Sequence, residues 1–195
     1  MDIKLIIIVI IACICHVKAM EFVYRTGKAK KEIWDIIHNN FGDYSRYGYT
    51  KNWYIFIFLI PLLYLFKRVN RAFMTEFIIK LCIIILLRSV TIISTMLPRN
   101  NKTNSVDDDY NSLSLFDKII SGGFYDKGFS GHFAIGLLLT LMMFKYNIVK
   151  MSLWSVILFM ILNMLHLFIL SITRSHYTID MLVSLYATLL VFFVV

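Results

Sequence analysis

The sequence predicts an all-α polytopic membrane protein, a bundle of six transmembrane helices, or five if the first is a cleaved signal peptide. Two observations carry this class. Of 195 residues, 59% are hydrophobic and only 16% charged, with a mean hydropathy of +0.73, whereas a soluble domain is about a quarter charged. Apolar runs also recur along the chain, and a helix is the element that satisfies its own backbone hydrogen bonds in hydrocarbon. The expected organisation is residues 1–19 as a signal peptide or first transmembrane helix, then residues 20–195 as a single membrane-embedded catalytic domain. The net charge of +8 sits in short basic groups beside apolar runs. That is the pattern of topology signals and does not point to nucleic acid. Cys13, Cys15 and Cys82 lie inside apolar runs without metal-ligand spacing, so no disulfide or metal chemistry is assigned to them.

The first apolar run, residues 5–17 (LIIIVIIACICHV), ends at Val17-Lys18-Ala19. Its shortness and small closing residue fit a signal peptide, while Lys18 and His16 fit an uncleaved helix; in both cases residue 20 emerges away from the cytoplasm. In the polar stretch 20–52, Ile33, Trp34, Ile36, Ile37 and Phe41 fall on one broad helical face, which predicts an amphipathic interfacial helix over 28–40. Residues 53–66 form the second span, with Trp53 and Tyr54 in an aromatic belt and Pro61 as a kink. Lys67, Arg68 and Arg71 then make a basic, cytoplasmic loop. Residues 74–97 form the third span. It carries Lys80 near the cytoplasmic end, where it can snorkel, and Arg88 ten residues before Pro98, about 15 Å along a helix. An arginine at that depth points to function.

The long polar loop 98–129 contains a sequon, Asn101-Lys102-Thr103, and an acidic run, Asp107-Asp108-Asp109, that reads as a solvated face. Spans 131–149, 151–172 and 177–195 follow, with Lys145 and Lys150 at a cytoplasmic turn. His166, inside the second of these, reads as a packed core histidine, with cavity lining as the alternative.

Counting sides from the basic loop places Arg88, the cluster Ser130-Gly131-His132 and the cluster His176 to Asp180 toward one non-cytoplasmic face. The basic residues between Arg25 and Lys51 run against this assignment. His176 and Asp180 are four apart, hence one helical turn apart on one face. A carboxylate there fixes the imidazole tautomer and leaves the other nitrogen as base or nucleophile. Ser130 is a good helix N-cap, and the helix start behind it attracts an anion such as phosphate. Gly131 would let a phosphate approach the backbone, and His132 could protonate a leaving oxygen. Arg88 offers a planar fork for phosphate oxygens. Each group alone has a plainer structural reading. Together they are an inventory for phosphoryl transfer through a histidine, with no metal and no cofactor.

These residues resemble the sphingomyelin synthase family, within the wider lipid phosphate phosphatase superfamily. Asp126-x-x-x-Ser130-Gly131-His132 is similar to that family's third motif. His176-Tyr177-Thr178-x-Asp180, with Tyr186 and Phe192 downstream, is similar to its fourth. Arg88 with Thr91, Thr95, Leu97 and Pro98 resembles an Arg…Thr-x-Leu-Pro segment, Ile120-Ser121-Gly122-Gly123 a Gly-rich approach to the third motif, and Trp34-Asp35 a Pro-Asp motif. The resemblance covers residues 30–195. Tyr125, Phe133 and Met181 depart from the pattern, and the first motif's prolines and a basic cytosolic tail are missing.

The resemblance implies catalytic His132, His176 and Asp180, phosphate binding by Arg88, Ser130 and Gly131, and support from Asp126, Tyr177 and Asp35. It implies transfer of a phospho-headgroup from a phospholipid donor to a lipid alcohol such as ceramide, in the Golgi, endoplasmic reticulum or plasma membrane, with oligomerisation left open. The rival enzyme, a lipid phosphate phosphatase, uses Lys-x6-Arg-Pro, Pro-Ser-Gly-His and Ser-Arg-x5-His-x3-Asp. Here Ser89 follows Arg88, Phe129 precedes Ser130, and Leu170 stands six before His176, so the transferase pattern fits better. A non-enzymatic membrane scaffold is the third reading.

Overall fold

The computed structural model describes residues 3–26, 34–44, 47, 69–95 and 128–195. All regular structure among them is helical: α1 (Ile3–Thr26), α2 (Ile36–Asn40), α3 (Arg71–Ser94), α4 (Gly131–Lys145), α5 (Leu153–Ile172) and α6 (Thr178–Val194). Helices α1, α3 and α5 are long and apolar enough to cross a membrane, and α4 and α6 are shorter apolar helices of 15 and 17 residues. The all-α membrane class therefore holds. The expected span 53–66, the basic residues Lys67 and Arg68, and the loop from 98 to 127 with its sequon, acidic run, Ser121-Gly122-Gly123 and Asp126 lie outside the described residues.

Helix α3 is the hub, packed against α1, α4 and α6, while α4 also packs on α5 and α6. A core of Phe73, Ile84, Leu138, Leu139, Met142 and Val191 fills the space between them. A second cluster, Phe133, Leu137, Leu170 and Met181, lies within the first turns of α4 and α6 and the last of α5. The outer faces stay apolar. On α5, Leu153, Trp154, Leu158, Met160 and Met164 are all exposed, as expected of a surface solvated by lipid rather than water.

Polar residues collect at the two ends of the bundle. At one end, the turn after α4 brings Lys145 Nζ 2.6 Å from Glu76 Oε1, and the Tyr146 hydroxyl donates to Glu76 Oε2 at 2.7 Å. Lys80 donates to the Val191 and Phe192 carbonyls at 3.2 and 3.1 Å and lies 3.3 Å from Glu76. The expected snorkelling lysine is instead 1% exposed. The last-turn carbonyls of α6 need donors, and an ammonium is well suited to that negative helix end.

Helix α1 runs past residue 19 to Thr26, with Lys18 paired to Glu21 on its exposed side. One more expectation is corrected. An uninterrupted helix over 28–40 is excluded. Asp35 is extended (φ −139°, ψ 131°) and caps the short α2, its carboxylate accepting from the Ile37 and His38 amides. The periodicity was real, but an Asp before two isoleucines is also a start signal, and capping won.

Replacing Lys80 with Met should remove the ammonium from the Phe192 carbonyl and leave the Val191 carbonyl with the Val195 amide alone. The expected cost is about 1–2 kcal/mol, measured as a lower unfolding midpoint in detergent. An unchanged midpoint would remove Lys80 from the account of how α6 is fixed.

Candidate active site

The opposite end of the bundle gathers the starts of α4 and α6, the last two turns of α3, the middle of α1 and the short α2. It forms in two halves. In the first, the turn after α5, with Arg174 at φ 52°, delivers His176 to the start of α6. His176 Nδ1 lies 3.2 Å from Asp180 Oδ2, and the same oxygen accepts the Tyr177 amide at 2.9 Å. Asp180 is fully buried and His176 is 6% exposed. An ionised carboxylate only accepts, so the arrangement places the proton on Nδ1 and turns Nε2 into the basic nitrogen.

In the second half, Ser130 caps α4, its hydroxyl accepting from the Phe133 amide at 3.4 Å. Arg88 Nε donates to the Phe129 carbonyl at 3.3 Å. A Cβ at Gly131 would meet Arg88 Nε at 3.3 Å and Cζ at 3.5 Å. The room that the missing Gly131 side chain leaves is taken by the guanidinium, which is brought over the helix start. Gly128, at φ 103°, makes the preceding turn, and a side chain there would collide with the Thr95 hydroxyl. His132 sits in the first turn of α4 and is partly exposed.

Ser184 joins the halves. Its hydroxyl donates to the Asp180 carbonyl at 2.7 Å and accepts the Ser130 amide at 2.6 Å. All three residues are fully buried.

Further contacts extend the site, of which those of His16 and His38 were not legible in the sequence, while Asp35 and Tyr177 were expected as supporting residues. His16, in the middle of α1, lies with Nε2 2.7 Å from Arg88 Nη1 and is 2% exposed. Its signal was a polar side chain inside an apolar run, the same signal that marked Arg88. Asp35 reaches across from α2. Besides capping its own helix, it accepts the Thr178 amide at 2.6 Å and the Thr178 hydroxyl at 2.9 Å, so one carboxylate caps two helices. His38 places Nε2 3.1 Å from the His176 carbonyl, and Arg174 donates to the His38 carbonyl at 3.1 Å. Tyr177, almost fully buried, lies 5.3 Å from the His38 ring. His166 is buried beside Phe133, ring centroids 6.1 Å apart.

Burial opposes ionisation of Asp35. Hydrogen bonds from the Thr178 amide, the His38 amide and the Thr178 hydroxyl outweigh it and hold the carboxyl below the usual carboxylate range. Burial keeps His38 below the usual imidazole range, with Asp35 pulling it up and Arg174 reinforcing the depression. Among the described residues, no three His, Cys, Asp or Glu side chains gather to hold a metal ion.

The fold and these groups define an integral-membrane helical protein whose polar end suits phosphoryl chemistry. Residues 126–195 match the family model described as PAP2 superfamily C-terminal, the portion that contains Ser130, His132, His176 and Asp180. This match supports the lipid phosphatase superfamily and a membrane phosphatase- or phosphotransferase-type activity. No curated protein and no solved structure matches the chain.

Asp35→Ala should remove two helix caps at once and cost about 2 kcal/mol, read as a lower unfolding midpoint at neutral pH. Because the folded-state pKa is depressed, this stabilisation is present above the unfolded value and fades as pH falls through the folded one. The gap between wild type and variant should therefore narrow below about pH 4. A gap that persists unchanged at lower pH would show that the carboxylate charge is not what stabilises the contact.

Proposed function

We propose that the protein is an integral-membrane phosphotransferase. It moves a phospho-headgroup, phosphocholine first among the candidates, from a phospholipid to ceramide or another lipid alcohol, and releases diacylglycerol. The observation that carries this reading is the Ser184 bridge. It ties the His176–Asp180 pair to the Ser130-capped helix start over which Arg88 lies. The family match over residues 126–195 and the motif resemblance support the same chemistry.

In this reading, Nε2 of His176 attacks the headgroup phosphorus. A phosphorus–nitrogen bond forms and the bond to the diacylglycerol oxygen breaks. Asp180 holds the Nδ1 proton throughout and stabilises the charge that the ring acquires. His132 donates a proton to the departing oxygen. The hydroxyl of the acceptor lipid then attacks the phosphorus, His132 takes its proton, and the phosphorus–nitrogen bond breaks to restore His176. Arg88 and the amides at the start of α4 balance the phosphate charge as it redistributes. Asp35 and Tyr177 hold the His176 turn in place, and Asp126 stands as a supporting residue ahead of Ser130. The site faces the non-cytoplasmic side of an endomembrane or the plasma membrane.

The test is expression in a host lacking sphingomyelin, with labelled phospholipid and ceramide, followed by lipid mass spectrometry. A new phosphosphingolipid and an equal amount of diacylglycerol are expected. His176→Ala should lower the rate by at least ~10³-fold, and Asp180→Asn by ~10²–10⁴-fold. Water-dependent phosphate release without a new sphingolipid would assign the site to a lipid phosphate phosphatase. Unchanged lipid products in both variants would leave a scaffold role.

A further inference from the structure

We propose that His16 is a positioning residue for Arg88, and that helix α1 is retained in the mature protein as one wall of the phosphate-binding end. The inference deepens the phosphotransferase reading and rests on it for the role of Arg88.

The geometry is a two-point anchor. A guanidinium is planar, so two hydrogen bonds from different nitrogens fix both its position and its plane. Arg88 Nε is held by the Phe129 carbonyl and Nη1 by His16 Nε2. The two anchors come from different parts of the chain, the turn before α4 and the middle of α1. Between them the guanidinium lies against Gly131, at the start of α4. With Nε2 accepting from an arginine, the His16 ring is neutral. It therefore orients the cation without cancelling its charge, as a carboxylate would.

Helix α1 is built to bring His16 to that point. Its buried residues are Leu5, Ala12, His16, Ala19 and Met20; the first four are spaced seven, four and three apart and Met20 is four beyond His16, one continuous helical stripe. The alanines on either side of His16 are 0% and 1% exposed, and small residues there let two helices approach closely. Helix α1 packs chiefly on α3, the helix of Arg88. A cleaved leader needs a hydrophobic run but no buried stripe, and cleavage after Ala19 would remove the imidazole and all of the stripe but Met20.

Three measurements test this. Intact mass and N-terminal peptides of the protein purified from membranes should include residues 3–19; a mature chain beginning at residue 20 overturns the proposal. Kinetics should separate two variants. His16→Gln keeps an acceptor and should stay within about threefold of wild type. His16→Phe fills the space without an acceptor and should raise the phospholipid KM about tenfold, with kcat less affected. Equal losses in both variants, or no KM effect in either, would assign His16 to packing alone. Orthovanadate should raise the unfolding midpoint of wild type, and His16→Phe should need about tenfold more of it. Failure of vanadate to stabilise wild type overturns the proposal. A His16-dependent vanadate effect in a protein that makes no lipid product overturns the phosphotransferase reading and leaves the positioning role standing.

Discussion

The Ser184 hydroxyl sets the geometry of the polar end, because it is the link between two helix starts that the chain brings together from far apart. An amide at the start of a helix has no partner of its own. In a water-facing protein the Ser130 amide could turn to solvent. Here it is buried between α4 and α6, and the Ser184 oxygen supplies its acceptor while donating to the Asp180 carbonyl. The requirement is strict because an unmet buried donor costs about 1–3 kcal/mol. That cost fixes the register of α4 against α6, and with it the placement of His132 relative to His176.

The same rule governs several other polar residues in the bundle. Lys80 ends on the α6 carbonyls, Arg88 on Phe129 and His16, and Asp35 on two helix starts. Each of these contacts pins one helix end to another element, so the polar groups act as locating points for an apolar bundle that would otherwise slide. Lipid-facing and core-facing side chains are equally hydrophobic, and hydrophobic burial alone gives little preference for one register over another. The apolar layer of Phe133, Leu137, Leu170 and Met181 beside the site then fills the space that those pins define.

How much could be read in advance follows from range. The third, fourth, fifth and sixth spans were legible because each is a local property of composition, and their helices begin and end within a few residues of the expected bounds. The His176–Asp180 pair was legible because four residues is one helical turn. Ser130 was legible as a cap for the same reason. The contacts of His16 with Arg88, and of Asp35 with Thr178, were not, because they join residues 72 and 143 positions apart. Such pairs depend on which helices become neighbours. Local periodicity also misled once: the apolar face read over 28–40 runs through Asp35, whose extended backbone and capping carboxylate start a new helix instead.

The character of Arg88's partners bears on what that end of the molecule can bind. A buried arginine paired with a carboxylate is close to neutral as a unit, and a phosphate must compete for it. The imidazole and the carbonyl that orient Arg88 are neutral, so these two contacts restrict the guanidinium without offsetting its charge. The cost of holding a cation in that state falls on the bundle during folding and not on the ligand at binding. In the proposed reading, an incoming phosphate would meet a fixed donor plane beside a capped helix start, with both positive in sign. Tight helix packing at Ala12 and Ala19 keeps the imidazole in reach of the guanidinium, and through that contact the first apolar helix would, in the proposed reading, contribute to the site at the end of α3.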